Sequence, residues 1–196
     1  QMRNTFVDRI SENDTYLHPY PDQNKFNPEF HYDFGCGEIR PAYTVDMQLL
    51  LTAWRQKLRE QGCLSQEKFS LEDLQVKKEG VLYGAISARK IVFCDGVAGA
   101  GNPWFSLLPF SGSKGEALVI ACEGLHREHI FKKGMLLVPL PEEPLFWLGA
   151  NYQWEFENDA PTNEFYQAAT EMLKHWLKKP FSVIEHKAGV RPSTLE

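Results

Sequence analysis

Apolar residues recur at helical spacing in two stretches of the chain. Met47, Leu50, Leu51, Trp54 and Leu58 fall three and four apart, which draws one apolar stripe along a helix over residues 45–61. Thr44 can cap its start, Asp46 suits the first turn, and Gly62 suits the stop. Phe165, Ala169, Met172, Leu173 and Trp176 mark a second helix, over residues 162–179. Thr162 caps it, Lys174, Lys178 and Lys179 favour its C-terminal end, and Pro180 stops it.

Elsewhere the pattern is that of short strands. Asn4–Ile10 and Gly37–Thr44 are strand-like, with a polar, proline-containing loop around Pro19–Pro28 between them. Leu74–Lys77 and Gly80–Tyr83 predict a hairpin around Lys78-Glu79. The continuous apolar run Ile91–Cys94, ahead of Asp95-Gly96, predicts a buried strand of the kind found in parallel sheets. A loop rich in Gly, Pro and Ser follows over residues 97–113. Residues 116–123, 134–140 and 145–156 are apolar strand candidates, the last two facing each other across the Pro141–Pro144 turn, and Phe181–Val190 is a final strand. The expected fold class is α+β: a mainly antiparallel sheet flanked by the two helices.

Composition narrows the class. The chain has 196 residues, enough for one domain or one and a half. With 43% hydrophobic and 24% charged residues it reads as globular, and 13% aromatics allow a substantial core. The net charge of −5, with no basic tract, speaks against a nucleic-acid partner. Cys36, Cys63, Cys94 and Cys122 are widely spaced with no C-x-x-C, so no metal is expected, and a reduced, cytoplasmic chain is the simplest reading. No run of 18 apolar residues occurs, and no membrane span is expected. Leu195-Glu196 reads as a cloning remnant.

Three places carry residue types that do chemistry. Gly96–Gly101 reads G-V-A-G-A-G after a predicted strand. The dinucleotide fingerprint is G-x-G-x-x-G opening a helix, whereas here the spacing is G-x-x-G-x-G and Asn102-Pro103 follows. A glycine-rich connection is the better reading. His126 and His129 stand three apart with Glu123 and Glu128 near, but the stretch reads as a turn, and no metal is expected there. Arg191 lies just beyond the last predicted strand, before Pro192. A guanidinium held at a strand end can bind a carboxylate through two parallel hydrogen bonds.

Four segments, in order, resemble the FAD-dependent oxidoreductase superfamily of D-amino-acid oxidase, glycine oxidase and sarcosine oxidase. Ala88–Gly96 is similar to the family strand A-x-x-V-V-x-A-x-G, which passes near the cofactor. Leu108–Glu116 is similar to L-P-x-x-P-x-x-G-x, with Gly112 where a proline is more usual. Trp147–Tyr152 is similar to x-x-I-G-A-T, and Glu185–Pro192 to x-x-x-A-G-x-R-P, whose Arg in many members binds the substrate carboxylate.

The resemblance covers residues 88–192. It implies a substrate-binding domain in two parts, residues 1–44 and 101–194, around a helix and a remnant of the FAD-domain sheet at residues 45–100. It implies oxidation of a small-molecule amine or amino acid by hydride transfer to FAD, with Arg191 on the substrate and Asp95 and Gly96 near the cofactor. No catalytic acid or base stands out. The family's N-terminal G-x-G-x-x-G and the glycine-rich stretch after Arg-Pro are not in the sequence. The fragment is therefore expected to be inactive, with FAD absent from it and present in the full-length parent. Two alternatives stand beside this: a flavoenzyme of the same superfamily acting on an amine of a modified nucleoside, and a self-contained, non-enzymatic β-rich domain that binds a ligand or protein.

Overall fold

The computed structural model describes residues 8–10, 12 and 15–194. In chain order the elements are strands β1 (Leu17–Pro19) and β2 (Gly37–Ile39), helix α1 (Met47–Glu60), strands β3 (Leu74–Lys77), β4 (Gly80–Tyr83), β5 (Ile86–Ala88), β6 (Ser113–Ala121), β7 (Phe131–Lys133), β8 (Met135–Pro139) and β9 (Leu145–Gly149), helix α2 (Asn163–Trp176), and strand β10 (Ser182–Arg191). The class is α+β. The chain divides into two compact units: Gln1–Tyr43 with Pro109–Glu196, and Thr44–Leu108.

The first unit is built on a five-stranded antiparallel sheet in the order β10-β6-β9-β8-β7. Strand β6, between β10 and β9, is paired on both edges and buried along nearly its whole length. Leu118 and Ile120 of β6, Leu137 of β8, and Phe146 and Leu148 of β9 join one core with Phe165, Ala169, Leu173 and Trp176 of α2. The alternation of two on the strands and of three and four on the helix is what brings these side chains to a common face. Each large aliphatic or aromatic side chain so buried stabilises by about 1.5–3 kcal/mol.

Thr162 caps α2, its hydroxyl accepting from the Phe165 N–H at 3.3 Å, as its sequence position predicts. The helix ends earlier than residue 179. Leu177 turns extended and bridges Phe30, and the Lys178 N–H donates to the Glu29 carbonyl at 2.8 Å. Pairing with the segment that carries Phe26 and Phe30 thus replaces the last helical turn. Strand β9 is also shorter than predicted. At Gly149 the chain takes φ +152° against Ala117, then runs beside the start of β6, where Gln153 and Lys114 exchange both backbone hydrogen bonds at 2.9 Å.

Near the N-terminus, β2 pairs with β1, which lies at the edge of the predicted Pro19–Pro28 loop. Of the strand predicted over Asn4–Ile10, residues 8–10 are helical and residues 4–7 lie outside the described residues.

In the second unit, α1 forms where the apolar periodicity places it. Asp46, rather than Thr44, is its cap, accepting from the Leu49 N–H at 2.9 Å, and Gly62 takes φ +65° just past the end. Its stripe is uncovered: Met47, Leu50, Leu51 and Trp54 are all at least half exposed. The hairpin β3–β4 forms as predicted, and β5 extends it to a three-stranded antiparallel sheet. The buried strand expected at Ile91–Cys94 does not form. Among the described residues this segment pairs with no strand and belongs to no helix, and Val92 is 81% exposed. Only Phe93 turns inward, its ring meeting Phe69, Trp104 and Phe105. An apolar run becomes a buried strand only when both its edges find partners, and here neither does. No helix among the described residues is long and apolar enough to cross a membrane.

Candidate functional site

Arg191 is the last residue of β10, opposite Ser113 in the register with β6. Three neighbours fix its guanidinium. Nη1 donates to the Asn151 carbonyl at 3.3 Å. The guanidinium carbon sits 4.5 Å from the centre of the Tyr152 ring, a cation–π contact. On β6, Gly115 leaves the space the guanidinium occupies, since a Cβ there would collide with Nη1, Nη2 and the carbon between them.

The segment carrying Asn151 and Tyr152 is stitched to β6. The Asn151 side-chain oxygen accepts from the Glu116 N–H at 2.7 Å, and the Gln153–Lys114 pair follows. Tyr152 is 70% exposed, so its ring covers Arg191 from the solvent side while remaining accessible. No carboxylate among the described residues pairs with Arg191. A guanidinium has five N–H donors in a planar fork, and one protein acceptor leaves most of that fork available.

Close by in sequence, β6 carries a buried ionic cluster. Glu116 is 1% exposed; its carboxylate accepts from the Thr162 N–H at 2.6 Å and the Thr162 hydroxyl at 2.8 Å. Lys114 Nζ lies 3.5 Å away and also donates to the Ala160 carbonyl. His186 Nε2, from β10, lies 3.0 Å from Glu116 Oε2. Burial alone would push the Glu116 carboxyl up, but the two Thr162 hydrogen bonds, with Lys114 and His186, outweigh it and hold the carboxyl below its ordinary value. The cluster ties the first turn of α2 to β6 and β10.

Asp95 and Gly96 belong to the second unit, Arg191 to the first. The Asp95 carbonyl accepts from the Ala98 N–H at 3.2 Å, and Gly96 takes φ +59°. Gly96–Gly101 winds as a six-residue 3-10 helix and opens no α-helix. Sequence reasoning did not single out Gly115, Asn151 or Tyr152 as site residues, though all three lie inside the family-like segments. It weighed His126, Glu128 and His129 against a metal; the structure brings their ligand atoms within 4.8 Å of one another.

No family model matches the chain. Among solved structures, its fold is similar to that of a glycine oxidase from Bacillus cereus ATCC 14579, with a TM-score of 0.76 at 14% identity. The match covers 98% of this chain and 57% of that one, so the chain spans little more than half the length of the enzyme it resembles. The likeness is one of fold.

Proposed function

We propose that the chain is the substrate-binding portion of an FAD-dependent oxidoreductase acting on a small amine or amino acid, with Arg191 as the carboxylate anchor. The observation that carries this is the Arg191 guanidinium itself. It is seated on Gly115, faced by Tyr152, and satisfied by one backbone carbonyl, on a fold similar to a glycine oxidase. Its remaining N–H groups can donate to both oxygens of a carboxylate in parallel. That grip fixes the substrate's α-carbon relative to the end of β10, and positioning is the chain's own contribution to the reaction.

Among the described residues, none makes a seat for the cofactor's pyrophosphate. A dinucleotide is held at the N-terminus of an α-helix after a glycine turn, and the glycine-rich run here is a short 3-10 helix. FAD is therefore proposed for the full-length protein, and no step is assigned through it here. A cytoplasmic location belongs to the same proposal, supported by four unpaired cysteines.

The test is made on the full-length flavoprotein. Arg191→Lys keeps the charge but loses the fork. We expect KM for an amino-acid substrate to rise tenfold or more, about 1.4 kcal/mol, with little change for the matching amine that lacks a carboxylate. Equal effects on both substrates, or no bound flavin in the full-length protein, would overturn the reading.

A further inference from the structure

The turn between β6 and β7 carries a second constellation, in the first unit and independent of Arg191. We propose that His126, Glu128 and His129 form a binding site for a divalent transition-metal ion of the Zn²⁺ type. His126 Nε2 lies 2.9 Å from His129 Nδ1 and 3.6 Å from a Glu128 carboxylate oxygen. Ligands at zinc distances of about 2.0–2.1 Å, arranged tetrahedrally, stand about 3.3 Å from one another. Two of the three spacings are thus within a few tenths of an ångström of a ligand set, and all three ligand atoms lie within 4.8 Å of one another.

The surroundings hold this geometry. The His126 N–H donates to Glu29 Oε1 at 3.0 Å. Between the two histidines, Arg127 anchors the turn on the Leu140 and Leu145 carbonyls and lies over the Phe146 ring. Both imidazoles pack edge-on against Phe26, with centroids 5.9 and 5.3 Å away. The ring orientations are thus set by packing before any ion arrives, which lowers the cost of binding one.

One tautomer of His129 suits a metal. Tyr20 Oη lies 3.4 Å from His129 Nε2, and Lys25 Nζ donates to that same oxygen at 2.9 Å. A proton on His129 Nε2 directed at Tyr20 leaves the Nδ1 lone pair facing His126. A ligating histidine that gives its other N–H to a second group is the usual arrangement around a metal. Glu128 is 82% exposed at its side chain, so the ion is reached from solvent, and a fourth position stays open for water or a small ligand. Two imidazoles and one carboxylate suit Zn²⁺, Ni²⁺ or Cu²⁺ and exclude Mg²⁺ as the preferred ion.

The experiment is a calorimetric titration of the 196-residue chain, free of any histidine tag and stripped with chelator, using Zn²⁺ alone and then Mg²⁺ alone. We expect one Zn²⁺ per chain and no Mg²⁺ binding. His126→Ala and His129→Ala should each weaken Zn²⁺ binding at least tenfold with circular dichroism unchanged. His175→Ala, at an exposed surface histidine, should leave it unaltered. Co²⁺ substituted for Zn²⁺ should give the intense visible bands of a four-coordinate site. No binding, or binding that survives undiminished in the double variant His126→Ala/His129→Ala, overturns the proposal. Should the variants unfold, quenching of the Co²⁺ bands on selective modification of the histidines in the unmutated chain supports it, and their persistence overturns it.

Discussion

Gly115 and Gly149 both stand where a Cβ does not fit, yet replacing them should have opposite consequences. At Gly115 the obstacle is the far end of a long side chain, the Arg191 guanidinium. Gly115→Ala should therefore displace that group rather than break the sheet. In the full-length protein, carboxylate binding should fall tenfold or more. The melting temperature of this chain should move by no more than about 4 °C, roughly 1 kcal/mol for its size. Binding within twofold of the parent would remove Gly115 from the site. At Gly149 an added Cβ would meet Ala117 Cβ at 2.6 Å and its Cα at 2.9 Å, at a φ of +152° that side chains rarely adopt. That neighbour is part of β6, a strand paired on both edges, and cannot swing away. Gly149→Ala should cost about 1–3 kcal/mol in urea unfolding, and an unaltered midpoint would contradict the packing described. Arg191 was legible as a strand-end residue because the last predicted strand stops at Val190 and a proline follows Arg191. The groups that stand beside it were not legible, because Gly115 and Tyr152 reach it only through strand register and a bend after Gly149.

Two helices with the same apolar periodicity differ in what covers them. In α2 the stripe is buried, and Leu173→Ala should cost about 2–5 kcal/mol. In α1 Leu51 is 59% exposed, and Leu51→Glu should shift stability by less than about 0.5 kcal/mol. A comparable loss from both would mean that α1 is covered in solution. The start of α2 has a further role. Thr162→Ala removes the cap and one of two hydrogen bonds to the buried Glu116, and should cost about 1–2 kcal/mol. Thr162→Ser, which keeps the hydroxyl, should recover most of it. The periodicity of both helices could be read from the chain. The ion cluster beneath α2 could not, since Lys114 and Glu116 on β6 are far in sequence from Thr162 at the helix start and His186 on β10.

For the first unit as a whole, the Glu116 cluster should govern the response to acid. Its carboxyl titrates lower in the folded chain than its ordinary value of 4.5. The stability it contributes is then complete above that value and drains away as the pH falls through the lower, folded one. Urea midpoints should decline as the pH falls below 4.5. Glu116→Gln should flatten that decline while lowering stability at neutral pH, because Lys114 then lies buried without its counter-charge. An identical acid profile in the variant would place the acid sensitivity elsewhere.

The chain by itself determined the local elements. Caps at Thr162 and Gly62, the turn around Lys78-Glu79, and the alternating and helical apolar spacings are written into neighbouring residues, where local hydrogen bonding and side-chain direction decide the outcome. The tertiary structure decided what each apolar run meets. It buried α2 and left α1 bare. It left Ile91–Cys94 without a partner strand, although as a sequence it reads as well as β6 for burial. It brought Tyr152 and Gly115 to Arg191, and it aimed His126 and His129 at one point in space. These outcomes depend on sheet register and on contacts between residues distant in the chain, which no short window of sequence contains.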